Sequence, residues 1–329
     1  MKKVSPSYRN TYPTLFDAGI LTDDIVELQR DFYEKNKGTF ADNLENDTTS
    51  VDLGYTQFNG TIRRGESPET IVIGGEYGNG NSIQAYTRAL GIRAVLGPEA
   101  SIMLLPNDTL GENNLGLTKE EREIIRGGDA SPYTYRFHKL LDTIETPSDQ
   151  AVHIVGMSLG ATTGAALAAD GERNISSLTM IEPPHMSGSV STIMAKFIAS
   201  GGQLNKNITI SKQGIEGFSA IDGPTPIGLA AYGIGSLSPS NLASLGLIRN
   251  RDIDYDLMWA YDEHPNITVV SAYGTDGHVS PPEENRTIAD KYQPRGLQAF
   301  ELSGADHSVT NAHAVVAALA KHAKGLSNR

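Results

Sequence analysis

The sequence predicts an α/β protein with a mainly parallel central sheet flanked by helices. Short apolar runs rich in β-branched residues alternate with longer helical patterns through the middle of the chain, as in consecutive βαβ units. A serine flanked by glycines stands between one of these strands and the helix after it. The strand pattern returns near the C-terminus, so the late strands are expected to complete the same sheet.

The elements follow from apolar runs bounded by Gly, Pro, Asn or Ser. The predicted strands lie near residues 70–74, 101–106, 152–156, 176–181, 266–273 and 297–302. The predicted helices lie near residues 82–90, 133–144, 159–170 and 311–324. In the N-terminal 66 residues, a helix over 23–33 and a strand over 55–63 are expected.

Composition restricts the partners of this chain of 329 residues. Its net charge of −12 argues against nucleic acid or an anionic membrane surface as the main partner. No apolar run approaches the ~20 residues that span a bilayer. Met1-Lys2-Lys3 resembles the start of a signal peptide, but residues 4–10 are polar and aromatic, which predicts no export signal and a cytoplasmic location. The absence of cysteine excludes disulfides, thiol nucleophiles and cysteine-bound metals.

The most informative motif is Gly156-Met157-Ser158-Leu159-Gly160, which lies between a predicted strand and an Ala-rich helix. A serine on such a sharp turn needs small neighbours, because side chains at Gly156 and Gly160 would collide with the turn. The free N–H groups at the start of the helix point toward charge that develops beside Ser158.

Two later turns carry an acid and a histidine. Gly274-Thr275-Asp276 follows one late strand, and Gly304-Ala305-Asp306-His307-Ser308 follows the last. With Ser158, these turns make the chain similar to α/β-hydrolase-fold serine hydrolases, in which nucleophile, acid and histidine occur in this order. The resemblance implies that Ser158 attacks, His307 accepts its proton, and Asp276 orients the imidazole.

Alternatives exist for the acid and the base. Glu182 follows the predicted strand 176–181, where some members of this fold carry the acid. His278 lies two residues after Asp276 and competes with His307 as the base. The other histidines fit structural roles, and His153 in particular is expected to be a buried, hydrogen-bonded core residue.

The resemblance also implies an oxyanion hole formed by two backbone N–H groups. One belongs to Leu159, the residue after the nucleophile. The other is assigned to Glu76, because Gly74-Gly75 aligns with the His-Gly pair usual after an early strand. Gly74 departs from that pattern, so Tyr77 is an alternative donor. The loop lacks the Gly-Lys-Ser/Thr ending of a phosphate-binding loop.

The family also implies a division of the chain. Residues 1–66 form an N-terminal extension with the first strands, residues 67–186 and 264–329 the core, and residues 187–263 an inserted, mostly helical cap. We expect residues between Met194 and Trp259 to set substrate choice.

The expected activity is hydrolysis of a carboxylic ester through an acyl-enzyme, with a small acyl or other apolar molecule as substrate and without metal or cofactor. Thioester, amide or carbon–carbon bond hydrolysis, or ligand binding by a catalytically silent relative, are the alternatives.

Overall fold

The computed structural model of the protein describes residues 12–36, 38–55, 57–75, 83–105, 117–185 and 239–328. Within these ranges it contains one sheet of eight strands, in the order β1-β2-β4-β3-β5-β6-β7-β8. The strands are β1 (Thr48–Asp52), β2 (Gln57–Arg63), β3 (Thr70–Gly74), β4 (Ser101–Leu105), β5 (Val152–Met157), β6 (Ile175–Ile181), β7 (Thr268–Gly274) and β8 (Gln298–Leu302).

Six of the strands are parallel, and β1 and β2 extend the sheet in antiparallel pairing. In the parallel part, Gly74 pairs with Gly156, and Ile181 pairs with both Met157 and Ala272. The carboxyl ends of β3, β5, β6 and β7 therefore meet at one edge of the sheet, where ligands bind in open α/β folds.

Helices cover both faces of the sheet. They are α1 (Pro13–Asp17), α2 (Asp23–Asn36), α3 (Phe40–Asp47), α4 (Ile83–Leu96), α5 (Lys119–Arg126), α6 (Ser131–Thr143), α7 (Leu159–Ala169), α8 (Pro239–Asn250), α9 (Ile253–Glu263), α10 (Pro282–Tyr292) and α11 (His313–Ser327). On one face, α2, α4 and α11 contribute to a continuous apolar core. On the other face, α6, α7 and α9 contribute to a second core.

The observed elements confirm the predicted fold class, including every strand predicted from residue 70 onward. Helix α5 was not predicted, although Thr118 and Glu121 form a capping box at its start, a pattern visible in the sequence. His153 lies in β5 as a buried residue, and its Nδ1 is 2.9 Å from Ser177 Oγ.

The predicted cap falls largely on residues 186–238, which lie outside the described ranges, and its last part contains α8 and α9. The cap and the domain limits stay predictions. None of the helices in the described ranges combines the length and apolarity needed to cross a bilayer.

Candidate active site

Ser158 occupies a sharp turn between β5 and α7. Its backbone has φ 53° and ψ −121°, in the region that L-residues rarely adopt. Its N–H donates to the carbonyl oxygen of Ile181 at 2.9 Å, which ties the turn to the end of the neighbouring strand β6. The side chain is buried, and its Oγ has no hydrogen-bond partner within the described part of the chain. Such strain is typical of a nucleophile held in place by its surroundings.

Glycines allow this turn to form. A Cβ atom at Gly160 would lie 2.2 Å from the carbonyl oxygen of Gly74, and one at Gly156 would lie 2.3 Å from that of Gly160. Both positions collide with backbone, which cannot move aside as a side chain can. The N–H of Gly160 also donates to the carbonyl oxygen of Gly75 at 2.9 Å. The turn therefore packs directly against the segment that follows β3.

Glu182 follows β6 and is completely buried, with φ 53°. Its N–H donates to the carbonyl oxygen of Ala272 at 2.8 Å, and its Oε1 accepts from the N–H of Gly274 at 2.5 Å. Its Oε2 lies 3.4 Å from Nδ1 of His307. This contact is slightly longer than an ordinary hydrogen bond.

Burial and neighbouring groups shift the pKa of Glu182 in opposite directions. Burial raises the pKa of Glu182 above its ordinary value, and the nearby carboxylate of Asp306 acts in the same direction. The ring of His307 and the N–H of Gly274 act in the opposite direction, because both favour the carboxylate over the acid. A buried carboxylate of this kind is costly unless it has a cationic or hydrogen-bonding partner. His307 is the titratable partner that contacts it.

Asp276, the acid expected from the sequence, is exposed. Its carboxylate accepts from Thr275 Oγ1 at 3.1 Å, and its N–H donates to the carbonyl oxygen of Ala305 at 2.9 Å. Among the described contacts, none joins its carboxylate to His307. Asp276 as the catalytic acid stays a prediction, and the geometry favours the alternative, Glu182. The physical reason is that Glu182 is already held beside Nδ1 by the Gly274 N–H.

His307 begins a short 3₁₀ helix, His307–Asn311, that follows β8. Its side chain is 17% exposed. The segment is anchored through Thr310, whose Oγ1 donates to the His307 carbonyl oxygen at 2.9 Å and whose own carbonyl oxygen accepts from the buried Arg88 at 3.2 Å. The competing base, His278, is exposed. These contacts favour His307 over His278 as the partner of the buried acid.

Soon after this segment, a buried histidine is hydrogen bonded to the N-terminal extension. His313, at the start of α11, has its Nδ1 2.6 Å from the hydroxyl of Tyr33 in α2. Burial, together with the cation of Arg88, lowers the pKa of His313 well below its ordinary value. His313 is therefore neutral near pH 7, and the imidazole tautomer sets which partner of this hydrogen bond is the donor. The sequence did not reveal this role, because the two residues are far apart in the chain.

The predicted oxyanion donors are described only in part. Leu159 is the first residue of α7 and is buried. Its N–H donates to no described acceptor, as expected at a helix N-terminus. Glu76 and Tyr77 lie outside the described ranges. Their part in an oxyanion hole stays a prediction.

Sequence reasoning did not single out Asp306 or Tyr12, which are also buried. Burial and the charges of Asp306 and Glu182 raise the pKa of the Tyr12 phenol. Asp306 immediately precedes His307 in the sequence. This position next to the predicted base is the signal that could have marked Asp306 as a residue of the site. Within the described ranges, no group of three or more His, Asp or Glu side chains could hold a metal ion.

No protein-family model and no curated protein matches the sequence. Solved structures do match. The thioesterase domain from the curacin biosynthetic pathway is 16% identical with a TM-score of 0.52, over 83% of this chain and 98% of that one. An esterase from Exiguobacterium antarcticum is 13% identical with a TM-score of 0.52, over 79% and 92%. The haloalkane dehalogenase DbeA from Bradyrhizobium elkani is 14% identical with a TM-score of 0.54, over 85% and 98%. At such identities the likeness concerns the fold.

Proposed function

We propose that this chain, which has the α/β-hydrolase fold, is a serine hydrolase that cleaves a carboxylic ester through an acyl-enzyme. Ser158 Oγ attacks the acyl carbon while His307 takes the hydroxyl proton at Nε2. Glu182 stabilises the imidazolium through Nδ1. The tetrahedral intermediate then expels the alcohol, which receives that proton. Water, activated by the same histidine, releases the acid and restores Ser158.

One observation carries this proposal: the N–H of a strained serine is bonded to the residue before a buried carboxylate, and that carboxylate contacts a histidine. The Ser158 N–H is bonded to Ile181, the residue before Glu182, and Glu182 Oε2 lies 3.4 Å from His307 Nδ1. These contacts link the three residues through the ends of neighbouring strands. With Nδ1 facing the carboxylate, Nε2 is the nitrogen left to exchange protons with serine.

The oxyanion would be held by backbone N–H groups. The amide of Leu159 at the start of α7 supports this part of the proposal, since helix N-termini favour negative charge. Glu76 is proposed as the second donor. No step requires a metal or a cofactor.

The chemistry of serine favours acyl transfer over removal of a halide, although dehalogenases are among the structural neighbours. Displacement of a halide by Ser158 would leave an alkyl ether, which water does not cleave readily. An acyl ester on serine is cleaved by the same kind of attack that formed it. Thioesters, amides and carbon–carbon bonds next to a carbonyl group remain open to the same three residues.

A fluorophosphonate probe tests the nucleophile. We expect covalent labelling of the wild-type protein and none of a folded Ser158→Ala variant. Unlabelled wild-type protein, verified as folded by circular dichroism, would point to a ligand-binding protein. A panel of acyl esters, thioesters and amides of graded chain length then identifies the bond cleaved. We propose that the cap sets chain-length preference, which replacement of its apolar side chains would change.

A further inference from the structure

The turn after β7 is hydrogen bonded to the loop that begins with Glu182. We call residues Gly274–Pro281 the β7 turn and residues Glu182–His185 the acid loop. Besides the Gly274 N–H on the carboxylate, Ser280 Oγ donates to the carbonyl oxygen of Pro183 at 2.7 Å. The N–H of His185 donates to the carbonyl oxygen of Val279 at 3.2 Å. The two segments are therefore fastened at three points.

The backbone of the acid loop has few groups that can form hydrogen bonds. Pro183 and Pro184 have no N–H, so beyond Glu182 the backbone of the loop offers only carbonyl oxygens and the N–H of His185. Glu182 itself has a positive φ, which persists only where the surroundings impose it. The bond from Ser280 to Pro183 lies one residue from this strained position.

Asn285 in α10 fixes the direction of the Ser280 hydroxyl. Both side chains are buried, and Asn285 Nδ2 donates to Ser280 Oγ at 2.9 Å and to the Pro281 carbonyl oxygen at 3.0 Å. Because Ser280 Oγ accepts from Asn285, its own proton is directed to Pro183. A chain of two hydrogen bonds therefore connects Asn285 in α10, through Ser280, to Pro183, the residue after Glu182.

Gly277, in the middle of the β7 turn, also lies close to the carboxylate. A Cβ atom there would lie 2.7 Å from the carbonyl oxygen of Ser280 and 3.4 Å from Glu182 Oε2. A side chain at this position would push on the turn and crowd the carboxylate oxygen that faces His307. The absence of a side chain lets the turn close over the acid.

We propose that Ser280 and Asn285 are positioning residues that hold the Glu182 carboxylate against His307. This inference rests on the proposed function. The sequence predicted that the β7 turn supplies the acid, Asp276. In this proposal the β7 turn instead holds Glu182, the acid that follows β6.

The test compares Ser280→Ala with Ser177→Ala. Ser177 is also buried, lies at the opposite end of β6, and is hydrogen bonded to His153 at 2.9 Å. With the best ester of the panel as substrate, Ser280→Ala is expected to lower kcat by roughly tenfold to hundredfold with little change in KM, since small displacements of catalytic groups have effects of that size. Ser177→Ala is expected to reduce thermal stability with little effect on kcat.

A pH profile separates positioning from a general loss of stability. A misplaced carboxylate stabilises the imidazolium less, so the acid limb of kcat/KM moves to lower pH in Ser280→Ala and stays in place in Ser177→Ala. Asn285→Ala should shift the limb in the same direction, and it serves as the test if Ser280→Ala does not fold.

A double-mutant cycle makes the outcome decisive. If Ser280 acts through Glu182, adding Ser280→Ala to Glu182→Gln costs little further activity. The inference is overturned if Ser280→Ala lowers activity equally in the wild type and in Glu182→Gln. It is also overturned if Ser280→Ala and Asn285→Ala both keep the wild-type pH profile of kcat/KM. If Glu182→Gln by itself keeps full activity, Glu182 is not the acid of the site and that part of the proposed function is wrong.

Discussion

Replacing the Glu182 carboxylate with an amide is the most direct test of the site. Glu182→Gln preserves the length of the side chain, and its amide oxygen can still accept from the Gly274 N–H. It removes the negative charge that lies 3.4 Å from His307 Nδ1. The matched variant is Asp276→Asn, which makes the same chemical change on the exposed acid predicted from the sequence.

The expected magnitude follows from the distance. Two unit charges 3.4 Å apart interact by about 5 kcal/mol at an effective dielectric constant of about 20. Because each ~1.4 kcal/mol corresponds to a factor of ten in rate, the loss in kcat is about 10³- to 10⁴-fold. Glutamine adds to this loss if its NH₂ group faces Nδ1, since it then favours the wrong imidazole tautomer. Asp276→Asn is expected to stay within about threefold of wild type, as is usual for a group outside the reaction.

The assay is steady-state hydrolysis of the best ester, with circular dichroism to verify folding and fluorophosphonate labelling to follow the nucleophile. Residual labelling of Glu182→Gln is expected, at a much lower rate than that of the wild type. A large loss in Asp276→Asn together with near wild-type activity in Glu182→Gln would refute the reasoning and assign the acid to Asp276.

Two further predictions concern stability. The raised pKa of Glu182 means that the folded protein retains a proton that the unfolded chain releases, so this residue's contribution to the free energy of unfolding falls as pH rises above the ordinary value of 4.5. Urea titrations at about pH 4 and about pH 8 should show Glu182→Gln gaining stability relative to wild type at the higher pH, and a constant difference would contradict this. Tyr33→Phe removes the buried 2.6 Å hydrogen bond to His313 and should lower the free energy of unfolding by about 1–3 kcal/mol. The exposed Tyr135 gives the control, Tyr135→Phe, expected to change it by less than about 0.5 kcal/mol; equal stabilities of the two variants would count against the role of Tyr33.

Much of the fold was predictable because its signals are local. The β-branched run 70–74 and the strand 152–156 were predicted within one residue of β3 and β5, since short buried parallel strands are mostly apolar. The turn at Ser158 was equally accessible, because only glycine fits at Gly156 and Gly160. Helix α10, between the last two strands, was missed, because its mostly polar and charged sequence contains few apolar residues that could reveal a buried face.

The candidate site was only partly predictable. The sequence placed carboxylates after two strands, at Glu182 and at Asp276, and nothing local separates them. Their difference arises from the backbone, since φ 53° at Glu182 and the Gly274 N–H bring its carboxylate against His307. The bond between Tyr33 and His313 was equally hidden, because it joins residues 280 positions apart.

The amino-acid sequence by itself determined the six parallel strands and the turn at Ser158, because apolar runs and obligatory glycines act over a few residues. Only the tertiary structure decided which carboxylate meets His307. That choice depends on how the ends of β6, β7 and β8 are placed relative to one another, and these ends come together only when the sheet has formed. The same placement gives the β7 turn its contacts with the acid loop.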